Sequence, residues 1–259
     1  MGKIFKNMLP YWKAVIIIIA LLFVQAWCDL SLPSYTSDII DVGIQNSGVE
    51  HIVPEKLTKS EFETAQFIMT DDETDVWKGL YEADGEFYKL KDKSEKELDE
   101  ADEKLTLPLI MNYQMSTLEV SSFKKTIASQ MGKKESELEN MSVEQLGETL
   151  GVKFKSFKQE KEDNDGNKVK VDCVDARPFF AGMLESGKMD KKSILSMRDK
   201  MSNTIDAMGS SLVKSMGVAY AVSCDKTAGI DIDHVQKSYL LFAGLKMLGM
   251  ALLMGVVTV

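Results

Sequence analysis

Few stretches of this sequence carry residue types that do chemistry, and none completes a catalytic set. Gly182-Met-Leu-Glu-Ser-Gly187-Lys188-Met189 nearly fits the phosphate-binding pattern G-x-x-x-x-G-K-[ST]. That loop needs a hydroxyl after the lysine to hold Mg²⁺, and a strand leading in. Met189 offers no hydroxyl, and Pro178-Phe179-Phe180-Ala181 reads as helix, so the pattern is rejected. Lys161-Glu-Asp163-Asn-Asp165-Gly166 resembles the start of a calcium loop. Its first ligand position is a lysine, and Asp172 stands where a glutamate is needed. A hairpin turn accounts for it better, with weak calcium affinity left open. Cys173 and Cys224 can pair in an oxidising compartment, or stay apart as small buried hydrophobes. Cys28 is the third cysteine, and His51 and His234 are the only histidines. No cysteine–histidine set has zinc spacing and no Ser-His-Asp arrangement is legible. The expectation is no catalytic, metal or cofactor residue in this chain, its carboxylates forming a solvated surface.

The elements that position these residues are set by two apolar runs. Ala14 to Trp27 is almost wholly apolar, and Tyr11 to Leu32 reads as a transmembrane helix that Pro33 ends. Tyr239 to Val259 is a second span, interrupted by Lys246. A cleaved signal peptide is the alternative for the first run, but no small-x-small site follows it. Lys3, Lys6 and Lys13 precede the first span, and Asp29 is the first acidic residue. Positive flanks stay cytoplasmic. The N-terminus is therefore expected inside, the middle of the chain outside, and the protein in the plasma membrane as a multi-pass chain. The net charge of -9 argues against a nucleic-acid partner and against docking on anionic head groups. Gln25 and Asp29 are polar residues at the outer end of the first span, and polar groups within a membrane are functional candidates. They are read as transport-pathway residues, with a simply hydrated Asp29 as the bland alternative.

Four regions follow. Residues 1–10 suit an interfacial helix; 11–49 hold the first span and its extension, for which Gly48 is a stop; 50–233 form an extracellular domain; 234–259 hold the second span. Within the domain, helices are expected at Thr58 to Met69, Asp71 to Ala83, Ser94 to Leu105, Ser121 to Gln130 and Ser142 to Leu150. Leu107 to Leu118, around Pro108, reads as a separate buried segment. Lys153 to Lys158 and Lys168 to Val174 alternate in period two around Asn164-Asp165-Gly166-Asn167, a hairpin. One long helix is expected from Lys191 to Ala221, its Ile194, Met197, Met201, Ile205, Met208, Leu212 and Met216 forming a single packed stripe. The fold class is mainly α: two transmembrane helices flanking a mostly helical α+β domain with one small β-hairpin.

The residues at both ends of the domain carry a resemblance. MGKIFKNMLPYWK, the apolar run, and then Leu32, Pro33, Ile39, Ile40, Asp41, Gly43 and Ile44 are similar to the N-terminus of exporter-type ABC transporters. Gly229, Asp231, Gln236 and Tyr239 resemble the segment leading into the second helix of Gram-positive members that bear a large extracellular insertion. The resemblance covers roughly the first and last thirty residues. It implies the N-terminal fragment of an ATP-driven exporter of drugs, lipids or peptides. It further implies ATP and Mg²⁺ in a nucleotide-binding domain outside this sequence, a second half-transporter as partner, and the lipid bilayer around both spans. The alternatives are a two-span sensor with an external ligand-binding domain, and a membrane-anchored adaptor.

Overall fold

The computed structural model describes residues 11–162 and 168–258. The interfacial helix expected over 1–10, and the calcium-like turn at 163–167, lie outside the described residues. The chain is mainly α, 71% helix, and divides into two units: His51–Ile230, and the two flanking segments together.

In the flanking unit, helix α1 (Trp12–Asp38) carries Pro33 inside it and runs on as a π-helical stretch, Ile39–Gln45. The expected stop at Pro33 is thus overturned. The Thr36 hydroxyl donates to Leu32 O at 3.0 Å, and the π turns begin only at Ile39, six residues past the proline. Serine and threonine hydroxyls are a usual compensation for proline in apolar helices. The helix ends through Ser47 and Gly48, both at positive φ. The other long helix of this unit, Ile232–Thr258, opens with the Asp231 carboxylate accepting from His234 N–H at 3.1 Å. Both helices are long and apolar enough to cross a membrane, with mean hydropathies of 2.3 and 2.1. They pack where Gly43 receives the Leu240 and Tyr239 side chains. Gly43 and Ala243 are buried, and the Gln236 amide donates to Gly43 O at 2.8 Å. A Cβ on Gly48 would lie 2.8 Å from Gln236 Cα, so backbone meets backbone there.

The His51–Ile230 unit opens with strand β1 (Lys56–Thr58) and helix α2 (Lys59–Thr64), capped by the Thr58 hydroxyl. Helix α3 (Asp71–Leu80) starts in a capping box between Thr70 and Glu73. Strands β2 (Tyr81–Asp84) and β3 (Phe87–Leu90) turn at Gly85 and pair with β1 in the order β1-β3-β2. Phe62 stacks on Trp77 and on Tyr88, and the Trp77 indole donates to Phe62 O at 3.1 Å. Helix α4 (Glu95–Ser116) is continuous through Pro108, joining two segments expected to be separate. Leu105 and Leu109 are fully buried on either side of the proline, and burying that face outweighs the cost of about 3 kcal/mol for a mid-helix proline.

A second core follows. Strand β4 (Leu118–Glu119) precedes helices α5 (Val120–Met131), α6 (Glu135–Glu139) and α7 (Val143–Leu150). Strands β5 (Ser156–Glu162) and β6 (Lys168–Val174) form the expected hairpin, its first strand beginning three residues after Lys153. β4 pairs with β6, so the single expected hairpin is corrected to two three-stranded antiparallel sheets. Phe123, Phe154, Phe179 and Phe180 fill the space between this sheet and helix α8 (Arg177–Glu185). Gly182 lies inside α8 and Gly187 in the turn after it, so the rejected phosphate-loop pattern ends a helix rather than starting one.

The long helix expected over Lys191 to Ala221 is two helices, α9 (Lys191–Asp206) and α10 (Ser210–Thr227). Gly209 sits at φ +85 between them, a conformation that costs glycine little. The single stripe is broken accordingly. Ile194 and Ile205 are buried, whereas Met197, Met208 and Leu212 are exposed. Gly217 of α10 is pressed against Ile52: a Cβ there would fall 2.6 Å from the Ile52 side chain.

Candidate functional site

Within the His51–Ile230 unit, a cavity of about 360 Å³ opens between α2, the end of α4, β5, the start of α8 and α10. Its lining is polar because each element reaches it at an end or an edge. Thr58 and Glu61 come from the start of α2, Thr117 from the end of α4, Lys158 and Gln159 from β5, and Ser223 and Cys224 from α10.

Arg177 is its centre. Only 9% of its side chain is exposed. Its Nε donates to Asp175 Oδ1 at 3.0 Å and its Nη2 to Asp175 Oδ2 at 2.8 Å, a bidentate pair two residues apart. Its Nη1 donates to Glu61 Oε1, which also accepts from the Tyr220 hydroxyl at 3.0 Å. Burial pulls the Arg177 guanidinium toward neutrality, but the Asp175 hydrogen bonds and the Glu61 charge outweigh it and raise its pKa. Burial pushes the Tyr220 phenol and the Cys224 thiol well up, so both are neutral at pH 7. A protonated thiol is a poor nucleophile.

Gln159 completes it. Its amide nitrogen donates to the Tyr113 hydroxyl at 2.8 Å, while its Oε1 is buried and, among the described residues, accepts no hydrogen bond.

Two further acidic groups hold residues 51–56, the start of the unit. Asp102 of α4 accepts from Ile52 N at 3.1 Å and faces His51 Nδ1 at 2.9 Å, while His51 Nε2 lies 3.2 Å from Glu95. The Asp102 hydrogen bond, opposed by burial, raises the His51 pKa. His51, Asp99 and Asp102 each offer a ligand atom within 4.8 Å of the others, so they can hold a divalent ion. Asp225 of α10, 2% exposed, accepts from Lys56 N at 2.8 Å. Burial pushes its carboxyl up to about 7, the backbone N–H groups of Lys56 and Glu55 opposing.

Of the residues singled out from sequence, only Cys224 reaches the cavity. Gln25 and Asp29 stand one turn apart on α1, Gln25 half-buried and Asp29 exposed, next to the buried Cys28. Cys173, on β6 opposite Glu119 and Phe157, and Cys224, on the cavity wall, remain separate buried thiols. The pairing left open from sequence is not made; the Cys224 thiol is instead hydrogen-bonded with Tyr220. Arg177, Glu61 and Tyr220 carried no sequence signature as a group, since Glu61 lies more than 100 residues from both of its partners. No known protein family, curated protein or solved structure matches this chain.

Proposed function

We propose that this chain is the N-terminal transmembrane part of an exporter-type ABC transporter, with residues 51–230 as an extracellular insertion between its first two membrane helices. The observation that carries the reading is the meeting of Gly48 with Gln236, which brings the two ends of the inserted unit to one place on one helix pair. The lysines ahead of α1, and the acidic balance after Asp29, favour a cytoplasmic N-terminus. ATP and Mg²⁺ then act in a nucleotide-binding domain encoded further on, a second half-transporter completes the pathway, and drugs, lipids or peptides leave through it. Gln25 and Asp29 are its polar pathway residues.

The gene beyond Val259 tests this directly. Further membrane spans and a Walker A domain support the exporter; a kinase or a methyl-accepting coiled coil refutes it. A cysteine placed at Lys158 and labelled in intact cells supports the topology, whereas labelling only after permeabilisation refutes it. In the full transporter, Asp29→Asn is expected to alter transport or its pH dependence. A second reading, a two-span sensor, is favoured by one observation: the polar cavity in the inserted unit.

A further inference from the structure

We propose that His51, Asp99 and Asp102 bind a divalent first-row transition-metal ion. Glu95, Asp99 and Asp102 recur at steps of four and three residues, so their carboxylates share the face of α4 that meets His51. His51, Asp99 and Asp102 each bring a ligand atom within 4.8 Å of the others. His51 Nδ1 and Asp102 Oδ2 are 2.9 Å apart. Two ligands on adjacent corners of an octahedron, with bonds of about 2.1 Å, lie about 3.0 Å apart. The pair is thus already spaced for an ion in place of the proton on Nδ1. The side chains of His51 and Asp102 are 15% and 14% exposed and Asp99 is exposed, so an ion reaches the trio from solvent.

The groups around the trio hold it in the form a metal needs. A metal-bound histidine usually donates its other ring N–H to a carboxylate, a backbone carbonyl or water. His51 Nε2 faces Glu95 at 3.2 Å, which keeps a proton on Nε2 and leaves the Nδ1 lone pair for the ion. Asp102 Oδ1 accepts from Ile52 N at 3.1 Å, which fixes that carboxylate and leaves Oδ2 as the ligand. Charge points the same way. Three carboxylates meet one imidazole, and among the described residues none of the three pairs with a lysine or arginine. Even a protonated His51 leaves two of the three negative charges unmatched, and a divalent ion removes that excess. The imidazole nitrogen favours Zn²⁺ and its first-row neighbours over Ca²⁺ and Mg²⁺, which take oxygen ligands. Bound there, the ion ties the opening residue of the unit to α4. This inference stands on the His51–Ile230 unit alone and does not depend on the exporter reading.

The test is thermal unfolding of the full chain in detergent micelles at neutral pH, stripped with a chelator and then given Zn²⁺, Mn²⁺, Ca²⁺ or Mg²⁺. Zn²⁺ or Mn²⁺ is expected to raise the melting temperature by about 5 °C or more near a 100-fold excess over its Kd, and Ca²⁺ and Mg²⁺ at the same concentration to raise it less. Asp99 is exposed on a helix and, among the described residues, makes no hydrogen bond or ion pair. Asp99→Ala therefore melts no lower than the wild type without metal, and loses the shift. Glu95→Gln, at a largely exposed carboxylate, raises the Kd about 10–100-fold, as loss of the partner behind a metal-bound histidine does. The proposal is overturned if neither Zn²⁺ nor Mn²⁺ shifts the melting temperature, or if Ca²⁺ or Mg²⁺ shifts it as much. It is equally overturned if the shift survives Asp99→Ala, or if Glu95→Gln binds the ion as tightly as the wild type does.

Discussion

Asp225→Asn is expected to remove a pH dependence that the wild-type fold carries. The Asp225 carboxyl is 2% exposed and pushed up to about 7 from its ordinary 3.8, first by burial and then by the Glu55 charge, against the N–H groups of Lys56 and Glu55. Between these two values the folded chain binds a proton that the unfolded chain releases. Stability therefore falls as pH rises from about 4 to about 7, and is level above. At roughly 1.4 kcal/mol per pH unit the whole fall is about 4 kcal/mol. Asparagine keeps an acceptor for Lys56 N–H and cannot ionise. Urea unfolding at pH 5 and pH 8, in a Trp12→Phe, Trp27→Phe background, reports the unit through the buried Trp77. The raised pKa of His51 gives a loss in the same direction as pH rises past 6.5, so the comparison is between variant and wild type and not the wild-type slope alone. The variant should lose less than half as much stability as the wild type between the two pH values. Equal losses in the two proteins would refute the reasoning.

Other outcomes follow from single contacts. Arg177→Met leaves Glu61, largely buried, and the partly exposed Asp175 without their cation, and should cost about 3 kcal/mol by urea titration; Arg177→Lys should recover only part, because an ammonium cannot make the bidentate pair. Gly48→Val should lower the thermal midpoint of the helix pair by circular dichroism, since φ is +81 and the new Cβ meets Gln236 backbone; Gly244→Ala, with nothing within 4 Å of its Cβ, should not. Cys173 and Cys224 should resist maleimide in the native protein and react in urea, with no difference between reducing and non-reducing gels.

The fold was legible where local chemistry decides it. Thr70 with Glu73, Ser94 with Glu97 and Ser142 with Gln145 are capping boxes visible in the sequence, and each starts a helix. Period-two alternation likewise located β5 and β6. Reading failed where distant contacts decide. Pro33 and Pro108 are locally strong breakers, yet an apolar helix runs unbroken through one and core burial carries the chain past the other. Met208 and Leu212 keep helical spacing across Gly209, so nothing in the periodicity revealed the break there. β1 is three residues long, too short for alternation to register. The cavity had one signal. Arg177 and Arg198 are the only arginines in a chain whose other basic residues are lysines, and both are buried in carboxylate pairs. An arginine among lysines marks a place where a planar fork is needed.

The clamp between Lys56 and Asp225 joins the first strand of its unit to the last helix, 169 residues later. Ile52 likewise rests on Gly217. A ribosome makes these pieces in order, at about 5–20 residues per second. Lys56 therefore waits about ten seconds or more for Asp225, although β3, the strand that pairs with β1, follows within a few seconds. Until α10 emerges, residues 51–58 lack half of what holds them. A chain interrupted before Ser210 keeps β1 as an edge strand without the Asp225 and Gly217 contacts that hold its approach. Truncation inside the last helix of the unit thus releases the strand at its opposite end, two places far apart in sequence and joined by one hydrogen bond.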